Sequence, residues 1–336
     1  MKLLPKATLI DVIRGKATLI GSRTDPNRPR GWVSPVEARA LLGLEYGDLA
    51  EEEAAYLDAD HSLSDQAATT ARALLARLFS AGDPAVDLPR PTLVATPVDN
   101  ITIEEALRRI VEPPPTHRAR MVHFVHPHAV NLAATHPDFR TLLERADLIL
   151  PDGIGLRFAA QILGVSLKHN INGTDLLPLL CEAARDNQLP LLLVGGAEGV
   201  AEDCAATLRN SFPGLDIPWT HHGFLNGDKS KDLAQRIAEH PGAIVLVGMG
   251  SPRQEQWSWD HLAPIPRITV VTVGGLFDFF SGRIPRAPLA WREAGFEWVW
   301  RLKQEPKRLA KRYIVGNPLF LSRALKQRMT QGKPKG

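Results

Sequence analysis

The side chains with the clearest capacity for chemistry stand at the ends of short apolar runs. Val122 to Val125 leads into His126-Pro127-His128, and Leu148-Ile149-Leu150 leads into Pro151-Asp152-Gly153-Ile154-Gly155. An aspartate just past the carboxyl end of a buried strand, followed by two glycines and a helix, lies where parallel α/β sheets keep their reactive groups. Asp152 is therefore read as a catalytic carboxylate. Capping of the helix that starts at Gly153 is the structural alternative, and one side chain can do both. His126 and His128 could bind phosphate or sugar, or assist the base. A lone histidine would more often be structural, but two at one strand end keep the functional reading open.

Three further apolar runs end in glycine: Gly195-Gly196, Gly248-Met249-Gly250-Ser251-Pro252-Arg253-Gln254-Glu255, and Gly274-Gly275-Leu276-Phe277-Asp278. Glycine at a strand-to-helix turn lets backbone N–H groups approach a phosphate, with the helix amino terminus adding a favourable dipole. Tight turns also use glycine for geometry alone, so it is their number on one sheet edge that carries weight. Gln254, at a helix start, could hold sugar hydroxyls with its amide, whereas Glu255 could equally serve the helix dipole. Asp278 either stabilises its turn or faces ligand. Asp175 follows Thr174 at a helix start and reads as a cap.

These residues need a scaffold that brings strand ends together. From Asn100 onward apolar runs of strand length alternate with amphipathic helices. That pattern predicts an α/β fold: a mostly parallel, Rossmann-like sheet with helices on both faces. The expected division is an amino-terminal segment over 1–95, an α/β core over 96–282, and a basic helical carboxyl-terminal appendage over 283–336, with the Pro- and Gly-rich stretch near 81–97 as linker. With 336 residues and 44% hydrophobic content, the chain can bury real cores. Apolar runs fall short of the roughly 18–20 residues of a membrane span, and the start lacks signal-peptide character, so a cytoplasmic location is expected. Cys181 and Cys204 have no metal-ligand spacing and read as buried thiols of a reducing compartment.

The net charge of +3 conceals a polarity. Residues 283–336 hold 14 Lys and Arg against 3 Asp and Glu, leaving 26 against 34 in the remainder. A basic end suits a polyanion, an anionic membrane surface or a diphosphate. Nucleic acid is not favoured, because no nucleic-acid motif accompanies the charge. Trp291, Trp298 and Leu302 fall at helical spacing, and Arg301, Arg308 and Arg312 line a neighbouring face, provided Pro306 only kinks or restarts the helix. Tryptophan beside arginine suits a membrane interface, and clustered arginine suits bidentate binding of diphosphate. The plainer reading makes the tryptophans core and the arginines solvated surface.

In order along the chain stand Asp152-Gly153-Ile154-Gly155, Gly173-Thr174-Asp175-Leu176, Leu193-Val194-Gly195-Gly196, His222-Gly223-Phe224, Val247 to Glu255, Val273 to Asp278, Arg286-Ala287-Pro288, Glu297-Trp298 and Glu305 to Arg308. This ensemble resembles the WecG/TagA/CpsF family of glycosyltransferases over about Asn100 to Phe320. The resemblance implies inverting transfer of a sugar from a UDP-sugar to a polyprenyl-diphosphate-linked saccharide, in exopolysaccharide or related cell-surface glycan assembly. Asp152 would be general base, Asp278 would accept the ribose hydroxyls of uridine, and Gly153, Gly195, Gly196, Gly248, Gly250, Gly275, Gln254 and Glu255 would line the donor site. Arg286, Arg301, Arg308 and Arg312 would meet the acceptor diphosphate at the inner face of the cell membrane, to which the protein would be peripheral. Two departures stand out: the family's Thr-x-Asn string is replaced by His126-Pro127-His128, and Asn170 stands where an arginine is expected. No metal site is evident and no cofactor is required on this reading, since turn amides and arginines can neutralise the donor diphosphate, with Mg²⁺ left open. A homo-oligomer is compatible with the sequence.

The amino-terminal stretch reads differently. Val12-Ile13-Arg14-Gly15, Leu19-Ile20-Gly21 and Arg23, with Tyr56-Leu57-Asp58 and His61 to Asp65, resemble the end of bacterial polyprenyl-phosphate sugar-phosphate transferases. Lys16 and Ser22 replace that family's Asp and Pro, and its upstream Asp-Glu pair has no counterpart, so the segment is read as an inert remnant. Two other functions compete: a nucleotide-dependent epimerase or dehydrogenase, which lacks its Gly-x-Gly-x-x-Gly turn and Tyr-x-x-x-Lys pair here, and a non-catalytic protein that binds lipid-linked sugars or acts as a scaffold.

Overall fold

A computed structural model describes residues 5, 7–37, 49–80, 86–285 and 297–331. The chain forms two compact units, one of residues 1–86 with 287–313 and one of 87–286 with 314–336. The basic end, read from sequence as one appendage over 283–336, is thus shared between them.

The larger unit is built on six parallel strands: β1 Arg120–Val125, β2 Leu148–Pro151, β3 Leu191–Gly195, β4 Thr220–His221, β5 Ile244–Gly248 and β6 Thr269–Thr272. Their order across the sheet is β2-β1-β6-β5-β3-β4. Residues 121–125 of β1 and every residue of β2, β3, β5 and β6 are buried. This is why these strands read as unbroken apolar runs: a parallel sheet is covered on both faces, so neither side of the pleat needs polar residues. Register follows Val122↔Leu148, Val271↔Val122, Val270↔Val245 and Leu193↔Leu246.

Among the described residues, the sheet of the larger unit is accompanied by ten helices: α1 Ile103–Val111, α2 Pro127–Thr135, α3 Pro137–Glu144, α4 Ile154–Leu163, α5 Gly173–Asp186, α6 Val200–Ser211, α7 Gly227–Ala238, α8 Arg253–His261, α9 Leu276–Phe280 and α10 Gly316–Gln331. One core cluster packs Met121, Leu192, Val194, Val245, Val247 and Val270 of the sheet against Leu233, Ile237 and Trp257 of α7 and α8. Another joins Val125 and Ile149 to Val130, Leu143 and Leu156, and takes in Phe320 and Ala324 of α10. Phe320 and Ala324, four apart, give α10 the apolar stripe that seats it against α2 and α4. Polar bonds fix its register there: Arg323 donates to Asn131 Oδ1 at 2.7 Å, Asn131 Nδ2 donates to the Gly316 carbonyl at 2.7 Å, and Arg328 donates to the Leu163 carbonyl at the end of α4. α10 is therefore part of the α/β unit.

The smaller unit contains a parallel two-stranded ribbon, Thr18–Ile20 with Gly31–Val33, and helices Leu9–Ile13, Leu49–Leu57, Leu63–Ser80, Glu297–Gln304 and Pro306–Ala310. Its inner structure centres on Glu53, 1% exposed, whose carboxylate accepts from the hydroxyls of Ser22, Thr24 and Ser34 and from the backbone N–H of Arg23 and Thr24. Arg23 also pairs with the buried Glu37 at 3.1 Å. Among the described residues of the chain, no helix is long and apolar enough to cross a membrane.

Candidate active site at the carboxyl edge of the sheet

All six strands being parallel, their carboxyl ends share one edge. β1 delivers His126 there. His126 is the N-cap of α2, with Nδ1 accepting from the Ala129 N–H at 3.1 Å, so that nitrogen carries no proton and the ring is oriented by the backbone. The His128 ring centroid lies 6.0 Å away. His126 thus has a structural task at one ring nitrogen, and both rings are half-buried.

β2 delivers Asp152, whose N–H donates to the Val125 carbonyl at 2.8 Å and extends the β1–β2 pairing by one residue. The N-cap position of α4 belongs to Gly153, so Asp152 stands one residue outside the helix, half-buried. Gly153 has φ of 92°, a conformation that disfavours any side chain, and a Cβ placed there would meet nothing within 4 Å. At Gly155 a Cβ would lie 2.6 Å from Pro127 Cγ, so the first turn of α4 rests directly on the His-Pro-His segment. That contact brings Asp152 and the two histidines to one place.

Next to β2, the Ile171 N–H donates to the Pro151 carbonyl at 2.8 Å, bringing Asn170, 9% exposed, to the same strand end. Asn172 caps α5 through Oδ1, and its Nδ2 donates to Asp175 Oδ2 at 2.6 Å. Asp175 is engaged in this cap, as the sequence expects.

The glycine turns are laced to one another. Gly195 and Gly248 are register partners, and a Cβ at Gly195 would fall 2.3 Å from the Gly248 carbonyl oxygen, so only glycine fits there. The Gly196 N–H donates to that same oxygen at 2.9 Å, and the Gly223 N–H donates to the Gly196 carbonyl at 2.8 Å. Gln254 ties β5 to β6: its Oε1 accepts from the Gly250 N–H at 3.2 Å and the Gly274 N–H at 2.9 Å, while Nε2 donates to Glu255 Oε1 at 2.8 Å. At 2% exposure, this amide is a strut between two turns. Glu255 is fully buried, accepts also from Ser251 Oγ at 2.8 Å, and its Oε2 has no hydrogen-bond partner among the described residues. Burial pushes its carboxyl above the usual range, against the opposing hydrogen bonds from Gln254 and Ser251. Gly275 caps α9, and Asp278 lies half-buried within it.

Two placements are visible only in the fold. Phe224, 63% exposed, follows β4 with its ring 6.2 Å from that of His222, placing an aromatic surface beside the Gly196 turn. The His-Gly-Phe string was the available signal. Behind the edge, fully buried His123 meets Thr272 Oγ1 through Nδ1 at 3.0 Å, and burial lowers its pKa to about 4 despite the opposing charge of Asp147. Among the described residues, no three His, Cys, Asp or Glu side chains cluster in a way that could hold a metal ion.

Of the basic residues named from sequence, Arg286 lies outside the described residues. Arg301 is half-buried, Arg308 donates to Glu305 Oε2 at 2.7 Å, and the Arg312 guanidinium sits 5.5 Å from the Tyr313 ring centroid, on the segment where Trp298 packs 5.7 Å from the same ring.

A carboxylate, two histidines and a row of glycine turns lie on the carboxyl edge of a parallel sheet, the edge on which α/β enzymes as a class keep their chemistry. Which enzyme follows from likeness: the model of the WecG/TagA/CpsF glycosyl transferase family matches residues 91–334, and the chain belongs to that family of glycosyltransferases. It is 30% identical over 202 residues to the N-acetylglucosaminyldiphosphoundecaprenol N-acetyl-beta-D-mannosaminyltransferase of Bacillus spizizenii, covering 60% of this chain and 77% of that one. It is 29% identical over 209 residues to the Staphylococcus aureus protein of the same name, covering 62% and 81%.

Proposed function

We propose that this glycosyltransferase moves a sugar from a UDP-sugar to a saccharide on a polyprenyl diphosphate, with inversion, and that Asp152 is its general base. The observation that carries the reading is the position of Asp152: outside the helix cap, at the strand edge, beside an open glycine turn and on the same edge as the turns of β3, β5 and β6. Inversion by direct displacement needs a carboxylate within hydrogen-bond reach of the acceptor hydroxyl, on the face opposite the departing diphosphate. Asp152 takes the hydroxyl proton, the hydroxyl oxygen bonds to the anomeric carbon, and the bond from that carbon to the diphosphate oxygen breaks, releasing UDP.

The acceptor class rests on the names of the two relatives, both of which act on a diphosphoundecaprenol-linked N-acetylglucosamine. For the donor, backbone N–H groups at the glycine turns suit the diphosphate, Asp278 the ribose, and Phe224 can stack on the base. Arg301, Arg308 and Arg312 are assigned to the acceptor diphosphate at the inner face of the cell membrane. His126 and His128, in place of the family's Thr-x-Asn, set the immediate surroundings of the base.

The test is UDP release from a panel of UDP-sugars with a short-chain polyprenyl-diphosphate saccharide. Asp152→Asn, which keeps shape and removes basicity, is expected to lower kcat by about 10²–10⁴-fold while UDP still binds. Near-normal turnover by Asp152→Asn would move the base elsewhere.

A further inference from the structure

The smaller unit carries exposed aliphatic side chains on its first helix and the adjoining ribbon. Helix Leu9–Ile13 buries none of its five residues. Leu9, Ile10 and Ile13, spaced i, i+1, i+4 on one side of it, are 47%, 57% and 79% exposed. Leu19, on the ribbon strand the helix packs against, is 40% exposed. A folded chain rarely leaves so many aliphatic side chains together in water without a partner.

The rim says what the partner is. Arg14, Lys16 and Arg30 are all exposed around this surface. The Thr18 N–H donates to the Arg30 carbonyl at 3.1 Å, which fixes Arg30 beside the strand that carries Leu19. The acidic residue of the helix, Asp11, is engaged locally: Thr8 Oγ1 and the Thr8 N–H donate to it at 2.6 and 2.9 Å, and Lys16 and Arg30 are near enough to help hold its carboxyl below the usual range. Pairing of this surface with a second copy of itself would oppose cation to cation. A sheet of anionic headgroups over hydrocarbon complements both parts at once: the aliphatic side chains enter the acyl boundary and the cations meet phosphate.

We infer that Leu9, Ile10, Ile13 and Leu19, ringed by Arg14, Lys16 and Arg30, form a docking surface for an anionic lipid bilayer. This goes beyond the transferase reading and does not rest on it, because lipid binding is measured without donor or acceptor.

The full chain is sedimented with vesicles of phosphatidylcholine containing phosphatidylglycerol, and with phosphatidylcholine alone. Wild type should bind the anionic vesicles and release them as salt rises. The double variant Ile10→Ser with Ile13→Ser should weaken that binding by at least about tenfold, given the area two isoleucines withdraw from water. Arg14→Glu with Lys16→Glu should abolish the preference for anionic lipid, and Leu179→Ser, at a 37% exposed leucine of α5, should change nothing. A direct reading comes from Ile13→Cys carrying a polarity-sensitive dye. The two native cysteines are buried, with thiols pushed up to about 12, and will not compete for the label. The dye should shift to the blue on adding anionic vesicles. An unmoved dye while the protein still sediments, or unchanged binding in both double variants, overturns the assignment. So does a change of oligomeric state in the isoleucine variant with vesicle binding intact, since it would put a second copy on this face. Turnover on a water-soluble acceptor analogue should stay at the wild-type level in every variant, so failure here and failure of the transferase reading are told apart.

Discussion

Each of the two units buries a glutamate, and they bury it in opposite ways. Glu53 in the smaller unit accepts from three hydroxyls and two backbone N–H groups. Burial alone would raise its carboxyl, but the bonds from Ser22, Ser34 and Thr24 outweigh that and hold it below the usual value of 4.5. Among the described residues, Glu255 in the α/β unit has two side-chain donors, both on Oε1, and no partner at Oε2, so there burial wins. A buried charge is tolerated where its lone pairs are filled and resisted where they are not. The difference separates a carboxylate that organises its unit from one buried just behind the carboxyl edge of the sheet, where the backbone is committed to turns and fewer donors are at hand.

The comparison breaks most easily at Glu53. Glu53→Ala leaves three buried or half-buried hydroxyls and two N–H groups without their acceptor, and is expected to cost about 3–5 kcal/mol by denaturant titration. Glu53→Gln is expected to cost nearly as much, because its amide points donors at donors. The native contribution should be present in full above the ordinary pKa of 4.5 and be lost as pH falls from there through the lower folded value. A loss below about 0.5 kcal/mol for Glu53→Ala would mean the smaller unit does not depend on this centre.

His123 sharpens the other side. Like Glu255 it is fully buried and keeps one polar atom, Nε2, without a hydrogen-bond partner among the described residues. Its folded pKa of about 4 lies below the usual 6.5, so the unfolded chain takes up a proton that the folded chain refuses. Stability should fall as pH drops from about 6.5 towards 4, by about 3 kcal/mol in all. His123→Leu removes the titration and should flatten that limb, although it strands the Thr272 hydroxyl and lowers stability at neutral pH. An acid limb of the same slope in the variant would show that other groups produce it.

What the sequence revealed follows the same physical line. The strands were legible because a sheet covered on both faces writes each strand as an unbroken apolar run. Their order was not, because β6 enters between β1 and β5 through pairings such as Val271↔Val122, about 150 residues apart, which leave no local trace. The placement of Asp152 just past a strand end was legible from the strand-Asp-Gly pattern. Its proximity to the histidines depends on Gly155 packing on Pro127, a contact across the sheet edge that no spacing announces. The amide of Gln254 is visible in the sequence, but whether an amide at a helix start turns towards ligand or towards the next turn depends on where the Gly274 N–H lies. Glu53 passed unnoticed because its donors at residues 22, 24 and 34 converge only in the fold. The basic end read as one piece because charge was its visible feature, whereas Phe320 and Ala324 decide where α10 packs.

The smallest expected effect tests the comparison at its finest point. As pH rises above the usual 4.5, the unfolded chain releases the Glu255 proton while the folded chain retains it, so stability declines until the raised folded value is passed. Glu255→Gln keeps the acceptor oxygen for Ser251 and Gln254 and removes the ionisation. It is expected to raise stability by about 1 kcal/mol near pH 8, with the gain fading towards pH 4. A loss of stability near pH 8 would mean that Glu255 is ionised and held by its surroundings as Glu53 is. The contrast between the two units would then rest on the number of donors alone and not on the charge each carries.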